Sequence, residues 1–389
     1  MSNLTTASAT ITVASILAIR LPAQPDRAAT ILPDWAAPAM TPSPSVPWRE
    51  QQHRFAVQII DSDGAAGMYG PCSSAVIDIV RDQLAPVLVG RRVDAWREMD
   101  AIPALGRHRR GAHYQMAVSA VDLALWDLRG VRAGVPAAAL LGGPVRERVP
   151  AYATALGIDV DHPAATEVVG WIAGAGFWGQ KWRLPGAGLG EPAARDAERL
   201  LRLRDAAGSG TRIMIDAMRQ WDQSRLRYLV PALVEAAVEW VEEPTIDLER
   251  VVAHPGVAIA AGEHAYDRVE QLRLIVGGRL QAWQPDVAWH GGLTRTLAMV
   301  DLAAEHAVAS FPHAASLPAA LHLAALSWAI PAVEYHLTLD PRRHGILHQP
   351  PVPDSGAFTA PAQPGLAGAY VDAAAAEQQH LAGGHRHAS

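Results

Sequence analysis

The sequence predicts an α/β protein built on a parallel, TIM-type barrel of about eight strands, preceded by a smaller α+β unit. Two observations carry this. Between Val149 and Tyr335, short apolar runs alternate with helical stretches: VPAYAT, GQKWRL, IMIDAM, VEWVEEP, AIAAGEH, QAWQPDV, VASFPHA and VEYH. Strands separated by helices in this way pair in parallel. From the second run to the seventh, each closes on ionisable residues, and barrel enzymes gather their catalytic groups at the carboxyl ends of the strands.

The elements follow in chain order. ITVASILAIR is too short and too soon interrupted by Arg20 to span a membrane, and no basic region precedes it as in a signal peptide, so it reads as a strand. HRFAVQIID is a second strand, the Pro-rich ILPDWAAPAMTPSPSVPW between them a loop, and Ala117 to Arg129 a helix. Beyond residue 340 the chain turns Pro-, Gly- and Ala-rich, and its tail HLAGGHRHAS reads as disordered.

Composition narrows the function. A chain of 389 residues, half of them hydrophobic, is long enough for a large core and more than one domain. A net charge of -6 leaves no basic footprint for nucleic acid, and the run Arg107 to Arg110 reads as a solvated loop. The single cysteine, Cys72, excludes an internal disulfide framework and fits a reducing cytoplasm.

The stretch WVEEP sets Glu242 beside Glu243 at a strand end. Successive strand residues face opposite ways, so one carboxylate faces the interior, where it stays charged only beside a cation. The other strand ends supply Lys181 and Arg183, then Asp216, Glu263, Asp286 and His313. Helix capping accounts for one or two such acids but not for the whole set. Asp216, Glu242 and Glu263, from consecutive strands, form an oxygen-rich cage suited to Mg2+. Glu243 then points away from the metal and pairs with a neighbouring cation or helix terminus.

The spacing of those three acids, together with AVSAVDLALWDLRGVRAGVPAAALLGG, WVEEP, AGEH, QPDVAWHGGLT and FPHAASLPAALHL in that order, resembles the enolase superfamily in its mandelate racemase branch, over roughly residues 50 to 345. Within that branch the chain is most similar to rhamnonate dehydratase and related acid-sugar dehydratases. The resemblance implies an α+β capping domain over residues 1–140, a (β/α)7β barrel over 141–338, and a segment 339–389 that returns to the cap. Cap loops around 31–48 and 62–75 are then expected to set specificity.

By the same resemblance, Asp286 orients His313 as the base that removes the proton α to a carboxylate, Lys181 polarises that carboxylate, and Glu334 hydrogen-bonds the developing enediolate. The enediolate forms only where a cation, here Mg2+, meets its charge. Relatives with two bases carry Lys-x-Lys where this chain has Lys181-Trp182-Arg183, and a guanidinium is a poor proton acceptor but binds carboxylate well. Asp286 stands where the muconate cycloisomerase branch has lysine. Met218 and Arg219 follow Asp216 where many relatives have asparagine two residues on. His264 and Trp289 either line the pocket or serve packing. The expected activity is a Mg2+-dependent hydro-lyase acting on an aldonate or aldarate to give a 2-keto-3-deoxy acid; a 2-hydroxy-acid racemase or epimerase, and a non-catalytic sugar-acid binder, stay open. A homo-oligomer is expected, with neither nucleic acid nor membrane as partner.

Overall fold

The computed structural model describes residues 11–22, 31–41, 55–94, 111–248, 251, 254–366, 370 and 378–383. The basic run 107–110, the loop from 42 to 48 and the tail beyond 383 lie outside them.

Strands β1 (Val13–Arg20), β2 (Phe55–Asp61) and β3 (Ala66–Cys72) pair antiparallel in the order β1-β2-β3. β1 reads as an unbroken apolar run because both of its faces are covered. Ile16 and Ala18 join the main core, while Leu17 and Ile19 pack with Ile346, Leu347 and Tyr370 from the other end of the chain.

The structure departs from the sequence expectation at three places here. Part of the expected loop 62–75 is β3. Its glycines hide the strand from pattern reading, yet Gly67 is needed: a Cβ there would stand 2.2 Å from the Leu128 amide nitrogen, so only glycine lets the strand lie against the helix Ala112–Ala133. That helix is also longer than the expected 117–129, ending where Gly134 adopts the left-handed conformation. Finally, the tail expected to be disordered contributes β13 (Gln378–Gly383), which pairs antiparallel with β1 and extends the sheet to β13-β1-β2-β3.

The second sheet holds eight parallel strands, and each of the eight apolar runs contributes one. They are β4 (Arg148–Thr154), β5 (Gln180–Arg183), β6 (Ile213–Asp216), β7 (Val238–Glu242), β8 (Ile259–Ala261), β9 (Ala282–Trp283), β10 (Ala309–Ser310) and β11 (Val333–His336). The order is β10-β9-β8-β7-β6-β5-β4-β11, and the Glu334 amide donates to the Pro312 carbonyl at 3.5 Å across the remaining gap. A short strand β12 (Ala357–Thr359) pairs antiparallel with β4.

The period of two inside the barrel positions the site. Tyr152, Met214, Trp240, Ala282, Phe311 and Ala332 pack into one apolar cluster, joined by Trp178, with the Trp240 and Phe311 rings 4.7 Å apart. Two residues further along the same strands come Thr154, Asp216, Glu242, Gln284 and Glu334, on the same face. An aromatic floor therefore lies directly beneath a polar layer. Each fully buried ring contributes about 2 kcal/mol by leaving water, so the floor holds the layer above it without help from the charges. Among the described residues no helix is long and apolar enough to cross a membrane.

The last barrel helix, Leu317–Leu326, is stapled by a buried histidine. His322 Nδ1 accepts from the Ala138 amide at 3.1 Å, and Nε2 faces the Leu366 carbonyl at 2.8 Å, so the ring is neutral with its proton on Nε2. Burial pushes its pKa down to about 4. The unfolded chain, at about 6.5, binds this proton first, so the stability is present above pH 6.5 and lost as pH falls toward 4, by about 3 kcal/mol in all. Chemical denaturation at pH 7 and pH 5 should show His322→Gln less stable than wild type at pH 7 but with a weaker loss between the two. An equal pH slope in both proteins would exclude His322 as a source of acid lability.

Candidate active site

Strand pairing places the charged side chains side by side. Arg183 is in register with Asp216, Asp216 with Glu242, and Thr154 with both Lys181 and His336. Lys181 is 1 % exposed, and its ammonium reaches both Glu242 oxygens at 2.7 Å, Glu334 Oε1 at 2.8 Å and Asp216 Oδ2 at 3.9 Å. One cation thus faces three buried carboxylates. Burial lifts Glu242 to about 8 against the pull of Lys181, and Asp216 to about 6, with the charge of Glu263 adding to the latter. Burial acts against the charge of Lys181 too, but Glu242 and Glu334 prevail and hold it protonated.

The His313 side forms a second group. His313 Nδ1 lies 2.6 Å from Asp286 Oδ2, and Nε2 lies 2.9 Å from Glu263 Oε2. Asp286 is fully buried and also accepts from the Ala288 and Ala315 amides at 2.8 and 3.2 Å, which fixes its carboxylate. Burial opposes charging of His313, but Glu263 and Asp286 outweigh it and raise its pKa well above the usual value. Burial likewise raises Glu263, yet His313 and His264 overcome it and hold the carboxyl at about 2.

All three acid-bearing strands leave the sheet through left-handed backbone: Met218 and Arg219 at φ 52 and 58, Glu243 at φ 36, and Gly262 at φ 143. Non-glycine residues held there cost about 1 to 3 kcal/mol each. The conformation at Glu243 ends the strand's alternation. Its carboxylate turns to the next strand end, where Oε2 meets His264 Nδ1 at 2.6 Å and Oε1 accepts from the Gly262 and His264 amides at 3.4 Å each. The Arg219 Nε is 3.7 Å away. Glu243 thus clamps the turn that carries Glu263.

Nine of the ten candidate site residues fall into two neighbouring groups. Lys181, Asp216, Glu242 and Glu334 share the polar layer. Glu263, His264, Asp286, Trp289 and His313 form the other, with the Trp289 ring 5.2 Å from His313 and 6.3 Å from His264. Arg183 stands beside Asp216 but donates to Gln220 Oε1 at 3.2 Å instead of to any of the others. Three contributors escape the sequence reading. Gln284 Nε2 donates to Glu242 Oε2, Thr154 Oγ1 donates to Glu334 Oε1 at 2.5 Å, and His290 bridges the Asp286 amide and the Glu263 carbonyl at 3.2 and 3.1 Å. Gln284 and Thr154 were accessible through the period of two and His290 was not; Glu243 meets Arg219 and His264, in keeping with its expected pairing, while its hold on the Gly262–His264 turn is a matter of backbone angle.

A divalent cation suits this donor set, because the polar layer carries more carboxylates than cations and burial raises two of them despite the Lys181 ammonium. Among the described residues, the one trio whose ligating atoms already lie within 4.8 Å of one another is Glu243, Glu263 and His264, and not the expected Asp216, Glu242 and Glu263. The difference has a cause in the contacts: the Lys181 ammonium bridges Asp216 and Glu242, and His313 holds Glu263.

The family model described as enolase C-terminal domain-like matches residues 164–374, and that of the mandelate racemase / muconate lactonizing enzyme N-terminal domain matches residues 43–142. The chain is similar to 3,6-anhydro-alpha-L-galactonate cycloisomerase of Streptomyces coelicolor, 34% identical over 291 residues, 66% of this chain and 77% of that protein. It is similar to D-galactonate dehydratase of Ralstonia nicotianae, 31% identical over 296 residues, 70% of this chain and 75% of that protein. A crystal structure of rhamnonate dehydratase from Gibberella zeae complexed with Mg matches with a TM-score of 0.77 at 26% identity, covering 96% of this chain and 97% of that one.

Removing the clamp should loosen cation binding. Glu243→Ala is expected to weaken divalent-cation affinity about 10- to 100-fold in calorimetric titration, the usual cost of losing a group that orients a ligand. Unchanged affinity would mean the Gly262–His264 turn holds its shape alone.

Proposed function

The chain belongs to the enolase superfamily, in its mandelate racemase branch, and from that premise we propose that it is a Mg2+-dependent dehydratase of a sugar acid. The observation that carries the reading is the pairing of His313 with the buried Asp286 at 2.6 Å, with arginine instead of a second lysine at position 183. Asp216, Glu242 and Glu263 would hold the ion. When bound, Mg2+ supplies positive charge beside the substrate carboxylate, where negative charge accumulates as the α-proton leaves.

The chain's own residues do the rest. Asp286 keeps the His313 ring oriented, and His313 Nε2, once neutral and released by Glu263 as that carboxylate turns to the ion, takes the α-proton. Lys181 and Arg183 bind the carboxylate as permanent cations, and Glu334, which accepts from Thr154 and Lys181 in its ionised form, hydrogen-bonds the carboxylate end only once it has taken up a proton. The C–H bond breaks, its electrons expel the β-hydroxyl as the C–O bond breaks, and His313 returns its proton so that water departs. The resulting enol becomes a 2-keto-3-deoxy acid. A second leaving group is favoured by the Streptomyces coelicolor relative: in a 3,6-anhydro acid the β-oxygen is the ring ether, and the same proton transfer opens the ring instead of releasing water. The protein is further read as a cytoplasmic homo-oligomer.

Screening aldonates, aldarates and anhydro acids with Mg2+ for 2-keto-acid formation identifies the substrate, and no turnover of any would overturn the reading. With that substrate, His313→Asn should lose about 10^2- to 10^4-fold in turnover and also lose exchange of the α-hydrogen with deuterated solvent. Arg183→Ala should raise KM yet keep measurable exchange. Exchange surviving in His313→Asn would place the base elsewhere, with Lys181 the first suspect. Glu242→Gln should abolish activity with the fold intact, because the aromatic floor does not depend on it.

A further inference from the structure

The barrel mouth contains a buried ion cluster that the proposed chemistry does not use. Arg199, on the helix Ala193–Ala207, is 2 % exposed. Its Nε is 3.1 Å from both oxygens of Asp161, and Nη2 is 2.5 Å from one of them. Nη1 reaches Glu191 Oε2 at 2.5 Å and Asp196 Oδ1 at 3.0 Å. Asp196, with no exposed surface, also accepts from the Gly186 amide at 3.1 Å and from Arg225 at 2.5 Å.

The partners lie in different loops. Asp161 belongs to the segment 155–164 that follows β4, and Gly186 and Glu191 to the segment 184–192 that follows β5 and Arg183. The first segment is bonded in turn to the N-terminal turn Asp34–Ala39. Asp159 donates to the Ala39 carbonyl and Thr41 to the Gly157 carbonyl, both at 2.8 Å, with Met40 and Ile158 bridged between them. The second segment presses on the site, since a Cβ on Gly188 would stand 2.8 Å from Gln220 Oε1 and 3.3 Å from Arg183 Nη2.

We infer that Arg199 is a positioning residue for substrate binding, tying the two barrel loops and the N-terminal turn into one unit that sets Arg183 and the pocket rim. A guanidinium suits this role because its planar fork can engage three carboxylates in fixed directions, whereas an ammonium is a point charge. Charge alone would not need a buried fork: Asp161 already has the exposed Arg202 at 2.9 Å.

Two variants of the full chain test this. Asp161→Ala cuts the tie at its 30 % exposed end, where folding is least at risk, and Arg199→Lys keeps the charge but not the fork. Amide exchange read by mass spectrometry should accelerate at least tenfold at residues 36–41 and 155–161 in Asp161→Ala, and by a smaller factor in Arg199→Lys, with residues 213–216 unchanged. On the substrate found by screening, KM should rise tenfold or more while kcat stays within threefold. Only this kinetic arm depends on the dehydratase reading; exchange needs no substrate. Unchanged exchange at 36–41 overturns the tie, and an equal loss in kcat with KM unmoved overturns the positioning role.

Discussion

The ammonium of Lys181, enclosed with Asp216, Glu242 and Glu334, is the contact on which the site depends. A buried carboxylate without a counter-charge takes up a proton, and one lysine cannot neutralise three. The layer is therefore arranged for more positive charge than the chain provides. Burial raises the pKa of Glu242 and Asp216 against the pull of Lys181, with the neighbouring carboxylates adding to it, and the surplus of negative charge suits the layer to a divalent ion. His313 and Glu263 settle the neighbouring balance between themselves.

Such a layer survives only on a floor that needs nothing from it. Tyr152, Trp240 and Phe311 fill the barrel directly below, and Trp178 closes the end. The stability thus resides in apolar packing, and the polar layer is free to hold crowded acids at the expense of some strain. Left-handed backbone at Met218, Arg219 and Glu243 is that strain made visible. It turns Glu243 out of strand alternation so that the second acid of WVEEP can hold the neighbouring turn.

The N-terminal sheet is joined to the C-terminal segment by contacts distant in sequence. Tyr370 exchanges hydrogen bonds with both backbone groups of Gly70, Asp127 receives the amides of Met68 and Leu366, and β13 lies against β1. These link the two ends of the chain across the helix Ala112–Ala133. The loop that follows β4 is bonded in turn to an early segment, through Asp159 with Ala39 and Thr41 with Gly157, so its geometry is not a property of the barrel alone.

The eight barrel strands were legible because their apolar runs are separated by helical stretches, and the acids were legible because each ends such a run. The pairing of Asp286 with His313 was expected from the resemblance, and the fold brings it about by setting the exits of adjacent strands β9 and β10 side by side. Less was legible wherever the signal is not periodic. β3 is masked by its glycines, β13 by a composition typical of tails, and β9 and β10 are two residues long, recognisable only by their position in the alternation. Which ligand atoms meet was decided by tertiary structure, because it depends on backbone angles and side-chain reach. A φ of 36 at Glu243 sets the clamp, and two ring nitrogens of His290 find backbone groups four and 27 residues away. The sequence by itself determined which chemistry is available at the strand ends; the register between strands and the angles at their exits decided which of those groups share a charge.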